Sequence, residues 1–121
     1  MLNYFNPIKT NSLIVELKDV NRTKIRNLKS ILEERIDSRY DLEIESHDTG
    51  HKERRGRIIT TAYDIWNGKE IAMVVKIRQG YRTTRENEDI EINPRITLMI
   101  YDLNLKELYD NLKEMFKDGL S

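Results

Sequence analysis

No cysteine occurs in the chain, which excludes disulfides, thiolate metal sites and a cysteine nucleophile. Apolar runs are short: nowhere do ten apolar residues follow one another. A helix crossing a bilayer needs about 20, so no membrane partner is expected. The first twenty residues hold no basic start followed by an apolar block. No secretory signal is therefore expected, and a cytoplasmic, intracellular location is the default. Glycine-framed nucleotide motifs are missing as well. Neither Gly-x-x-x-x-Gly-Lys-Ser/Thr nor Gly-x-Gly-x-x-Gly is present, which removes nucleotide-hydrolase and dinucleotide-binding folds. Ser12, Ser30, Ser38, Ser46 and Ser121 lack the glycine frame of a nucleophile elbow.

The 121 residues suit one domain. Hydrophobic residues make up 38% and charged residues 35%, a balance poor in apolar and rich in charged side chains. The apolar set is nonetheless bulky, with 15 Ile, 12 Leu and 4 Val against 2 Ala. A chain of this length buries about two-thirds of its unfolded surface, enough for one core.

Residues 1–11 read as an N-terminal arm and 12–121 as a single α+β domain. Leu13, Val15 and Leu17 alternate as a strand requires. Asp19 or Asn21 can cap a following helix. In that helix Ile25, Leu28, Ile31, Leu32 and Ile36 share one face between Asn21 and Asp37. Tyr40, Leu42 and Ile44 then alternate with Asp41, Glu43, Glu45 and His47, the pattern of an outer strand with a solvated acidic stripe. Asp48 to Gly56 reads as a loop.

Asn67-Gly68 between two apolar stretches signals a tight hairpin of the I′ type. A turn on those two residues pairs Arg57 with Arg78. It places Ile58, Thr60, Ala62, Asp64 and Trp66 with Ile71, Met73, Val75 and Ile77 on the better core face. Gln79 to Asp89 reads as a long polar loop. Ile96, Leu98 and Ile100 alternate in a last strand, with Pro94 marking a bulge or an edge. Asn104-Leu105-Lys106-Glu107 resembles a capping box. Leu105, Leu108, Tyr109, Leu112, Met115 and Phe116 follow as an amphipathic stripe that Gly119 ends. The expected fold is α+β: a mainly antiparallel sheet of about five strands in the order β-α-β-β-β-β-α, with the helices packed on one face.

Formal net charge is +0, which argues against a protein that coats nucleic acid through bulk positive charge. The neutrality hides an asymmetry. Between His51 and Arg85 nine basic residues face three acidic ones, so this stretch carries +6 and the rest −6. His47 and His51, with Asp48 and Glu53, have no helical spacing and no third strong ligand, so no metal site is assigned. Asp64 and Lys76 outline a metal-dependent nuclease site, but Val74 stands where its second carboxylate belongs. No catalytic residue and no cofactor is assigned.

Arginine is the remaining signal. Arg54, Arg55, Arg57, Lys76, Arg78, Arg82 and Arg85 are expected to gather at the open end of the hairpin, with Tyr63 and Tyr81 available to stack on a base. Like charges opposed across strands repel, and a bound anion would relieve them. The expected function is a small binding protein that recognises a phosphate-bearing ligand, a nucleotide or short nucleic acid. Self-association as a homodimer or higher homo-oligomer is expected with it. That job fits small regulatory or sequestering proteins, those of viruses and mobile elements included. The alternatives are a module that binds an acidic protein partner and a metal-independent phosphodiesterase using His47 or His51.

Overall fold

Alternation of apolar and polar residues marks most of the strands, and the apolar stripes of the helices join their inward side chains in one cluster. The computed structural model describes residues 13–18, 20, 22–48 and 56–117. The expected arm, the Asp19 and Asn21 caps and the Gly119 stop lie outside these. Strand β1 (Leu13–Lys18) is followed by α1 (Arg22–Arg26), α2 (Leu28–Arg35), β2 (Asp41–Asp48), β3 (Gly56–Asn67), β4 (Glu70–Thr83) and β5 (Asp89–Ile100). A 3-10 turn (Leu103–Leu105) then leads into α3 (Lys106–Lys117). This is the expected α+β order.

The five strands form one sheet in the order β1-β5-β4-β3-β2, and every neighbouring pair is antiparallel. Strands β2 to β5 are a meander, and β1 adds to its far side. Edge strands β1 and β2 are four strand spacings apart, about 19 Å, and α1 and α2 carry the chain between them. Strand β2 is the outer strand that its exposed Asp41, Glu43, Glu45 and His47 predict.

The core lies against one sheet face. Ile96, Leu98 and Ile100 of β5, Met73, Val75 and Ile77 of β4, and Ile65 of β3 are at most 1% exposed. They form one cluster with Ile25, Leu28 and Leu32 of α1 and α2 and with Leu108, Tyr109, Leu112 and Phe116 of α3. Val15, Leu17, Leu42 and Tyr63 pack at its margin. The expected single helix is interrupted at Asn27, whose φ of −91° and ψ of 0° leave the helical region. The apolar stripe runs on across the break, with Ile25 and Leu28 both buried.

Three local expectations need correction. The two-residue loop of the β3–β4 hairpin is Gly68-Lys69, one residue later than expected, because Asn67 pairs with Glu70. Gly68 alone takes a positive φ, 63°, which matches a II′ turn with glycine in its first central position. A bulge follows between Trp66↔Ile71 and Ile65↔Met73. Together the two displace the register by three residues, and an odd displacement turns a strand over. Thr61, Tyr63 and Ile65 therefore face the core, while Thr60, Ala62 and Asp64 face away. The bulge residue, Ala72, gives its carbonyl to the backbone N–H groups of Tyr101 and Asp102, at 2.9 and 3.1 Å.

The polar stretch after Gln79 is mostly strand, since Tyr81, Arg82 and Thr83 pair with Glu91, Ile90 and Asp89. Its turn is only Thr84 to Glu88, closed by Thr84 N–H to the Glu88 carbonyl at 2.8 Å. Pro94 sits where two residues of β5 oppose Gln79 of β4, the bulge that a missing ladder donor favours. Asp102 rather than Asn104 acts as a cap, on the 3-10 turn that leads into α3: its Oδ1 accepts from Asn104 N–H at 2.9 Å.

Candidate functional site

The face turned away from the helices contributes none of its alternating side chains to the core cluster. Rows of register partners run across it. One row reads Lys18, Arg95, Arg78, Thr60, His47; the next Glu16, Thr97, Lys76, Ala62, Glu45; a third Ile14, Met99, Val74, Asp64, Glu43. Three cations, Lys18, Arg95 and Arg78, thus stand on adjacent strands within about 10 Å. Lys76 lies about 7 Å from Arg78 along β4, and Arg82 about 14 Å in the other direction. Lys18, Lys76, Arg82 and Arg95 are exposed, and Arg78 is half-buried.

Arg78 and Arg95 oppose each other directly, an arrangement that costs on the order of 0.2–1 kcal/mol. Ion pairs among the described residues involve Arg22–Glu91, Arg39–Asp37, His47–Glu45, Arg57–Asp48 and Lys106–Asp110. None neutralises the row.

The sheet separates the residues that the sequence places together. Arg57 is opposite Tyr81, not Arg78, and both belong to the other face. Arg57 is held by the carboxylate of Asp48, a hydrogen bond and charge that raise its pKa further. Tyr81 is 37% exposed beside it. Tyr63 packs at the edge of the core, and burial pushes its hydroxyl pKa up. Neither tyrosine accompanies the row as a stacking platform. Arg85 lies exposed in the Thr84–Glu88 turn, and Arg54, Arg55 and His51 lie outside the described residues. Lys76, Arg78 and Arg82 remain together, joined by two residues that sequence reading omits, Lys18 and Arg95. Their signal was present: each alternates with an inward apolar residue, Leu17 and Ile96.

Opposite charge collects on the same face. Asp41, Glu43 and Glu45 of β2 border Asp64 of β3, which is the register partner of Glu43. Burial, then the charges of Glu43 and Glu45, raise the pKa of Asp64, and Lys76 partly offsets them. Among the described residues no three His, Asp or Glu side chains form a group that could hold a metal ion. His47 has its Nε2 3.6 Å from Glu45 Oε2, at the far end of the cationic row.

A separate depression of about 280 Å³ lies between the end of α2 and the start of α3. Its floor is Tyr40, Leu105 and Leu108, and its rim includes Arg35, Arg39 and Glu107. Arg39 is already bound to Asp37 and lies 5.5 Å from the Tyr40 ring centre. Its charges are locally balanced, whereas the row on the sheet is not. No family model, curated protein or solved structure matches the chain.

Proposed function

We propose that this chain is a binding protein for a phosphate-bearing ligand, held on the sheet face turned away from the helices by Lys18, Arg78 and Arg95, with Lys76 and Arg82 extending the site. The observation that carries this reading is the direct opposition of Arg78 and Arg95 without a carboxylate between them. Guanidinium forks match phosphate oxygens, and a phosphate between the two converts repulsion into two charge-assisted hydrogen bonds. The row has no aromatic member, so it engages phosphates rather than bases.

A titration with a labelled single-stranded oligonucleotide and with a nucleoside triphosphate tests this, each at low and moderate salt. Three to five contacts on a single strand give a log–log salt slope of about −2 to −3.5. Arg78→Gln with Arg95→Gln should weaken binding and flatten that slope by about one unit. Oligonucleotide binding with a negligible triphosphate response identifies an extended backbone as the ligand; the reverse identifies a nucleotide. Absence of binding to either at low salt, or binding indifferent to both arginines, overturns the proposal. Salt-insensitive capture of an acidic protein instead would replace it with a protein-binding role. Oligonucleotide cleavage abolished by His47→Ala would replace it with catalysis.

A further inference from the structure

The sheet face turned away from the helices is bipolar along a diagonal. Where all five strands run side by side, its cations lie along one end, Lys18 at the end of β1 beside Arg95 and Arg78 in the middle of β5 and β4. Its carboxylates sit at the opposite corner, where β2 begins and β3 ends, in Asp41, Glu43 and Asp64. Glu16 lies beside Lys18 on β1, but each corner keeps a net charge of one sign, and each is what the other lacks. Between them lie Met99 and Ala62, half-buried, and Val74, only 8% exposed, with Ile14 66% exposed at the margin.

We infer that a second copy of this chain docks on this face, setting the Asp41–Glu43–Asp64 corner of each copy against the Lys18–Arg78–Arg95 corner of the other, in competition with the phosphate-bearing ligand. A two-fold axis makes every contact twice. An axis parallel to the strands through central β4 would stack Lys76 and Arg78 on their own copies. An axis along the uncharged diagonal instead superposes positive corner on negative corner at both ends. The strands of the two sheets then cross steeply, as in orthogonal sheet packing. Formal net charge of +0 adds no bulk repulsion between copies.

The face is small. Five strands about 4.8 Å apart and about 20 Å long give at most about 1,000 Å² buried over both copies, the lower limit for a specific interface. The dimer is therefore weak and sensitive to salt, which suits a contact that a ligand displaces. The competition rests on the phosphate reading above; the docking does not.

Sedimentation equilibrium of the full chain tests both parts. A monomer–dimer equilibrium is expected at 50 mM salt, shifting to monomer at 500 mM or on saturation with a single-stranded oligonucleotide. Two charge-reversed chains, Asp41→Lys/Glu43→Lys and Arg78→Glu/Arg95→Glu, should each be monomeric. Mixed in equal amounts they should form a heterodimer, because both corners again meet their opposites; circular dichroism confirms that each is folded. A wild-type chain that stays monomeric at 50 mM salt and high protein concentration overturns the docking, as does failure of the mixed variants to associate. In either case oligonucleotide binding can still stand. A salt-sensitive dimer that binds no oligonucleotide or triphosphate removes the phosphate reading and the competition, and leaves the docking. Oligonucleotide bound without dissociating the dimer overturns the competition alone.

Discussion

Arg78 and Arg95 are cross-strand partners at the middle of the sheet face turned away from the helices, and neither forms an ion pair with a described carboxylate. Two guanidinium groups fixed one strand spacing apart reduce stability and retain the capacity to hold an anion. Arg95→Glu should therefore raise stability by about 1 kcal/mol in low salt, by turning a repulsive pair into an attractive one. For a chain of this length that is about 4 °C in Tm. Inorganic phosphate should stabilise the wild-type chain and not the variant, since a ligand stabilises only a state that binds it. Thermal melts with and without phosphate check both effects; a lower Tm for the variant would mean that an attractive contact of Arg95 had been removed.

Asp64 makes the corresponding case in the acidic corner. Burial first, then Glu43 and Glu45, raise its carboxyl pKa above the ordinary 3.8. A carboxyl raised in the folded state binds its proton more tightly there than in the unfolded chain. Its favourable contribution is complete below the unfolded pKa and is lost as pH rises through the folded one. Asp64→Asn should thus be more stable than wild type at pH 7, by about 0.2–1 kcal/mol. The difference should close as pH falls below 3.8. Denaturant melts at pH 7 and pH 3.5 provide the comparison, and a wild-type advantage at pH 7 would contradict it.

Tyr40 and Asp102 join the two ends of the helical layer. The Tyr40 hydroxyl donates to Asp102 Oδ2 at 3.0 Å, while Oδ1 of the same carboxylate caps the turn before α3. Tyr40→Phe removes one hydrogen bond and should cost about 1 kcal/mol. Asp102→Ala removes that bond and the cap together, about 2 kcal/mol. The double variant should cost little more than Asp102→Ala alone, because Tyr40 has then already lost its partner. Full additivity in a double-mutant cycle would show that the two side chains do not interact.

Much of the architecture is written in periodicity. The stripe Leu108, Tyr109, Leu112, Phe116 and the alternation Ile96, Leu98, Ile100 both reach the core as their spacing demands. Acid at every second position of β2 marks an edge. The failure at Arg57 is equally physical. Asn67 and Gly68 both favour turns, so composition alone does not say which residue begins the loop. The bulge at Ala72 leaves a small residue where either face would accept it. Each ambiguity is local, yet together they turn β3 over and separate Arg57 from Arg78. The adjacency of β1 and β5, which brings Lys18 to Arg95, joins segments more than seventy residues apart; no local pattern encodes it.

Gly80 and Gly68 distinguish a packing constraint from a backbone preference. Gly80 lies in β4 between Arg78 and Arg82, with φ of 155°, and a Cβ there would stand 2.0 Å from the Arg57 carbonyl oxygen and 2.9 Å from Ile58 Cα. Both obstacles are backbone of the neighbouring strand, so the strands themselves must part. Gly80→Ala should cost about 3 kcal/mol or more. Gly68 has φ of 63° with nothing within 4 Å, so Gly68→Ala meets only the intrinsic penalty of that conformation, about 1–2 kcal/mol. Function should divide in the same way. Gly80 spaces the cations on β4, and parting β3 from β4 there displaces Arg78 and Arg82, so oligonucleotide binding should fall even at temperatures where Gly80→Ala is folded. Gly68 turns the chain at the opposite end of these strands, and binding by Gly68→Ala should match wild type. Equal losses of stability in the two variants would mean that β3 and β4 do not approach closely at Gly80, and with that the placement of the row would fail.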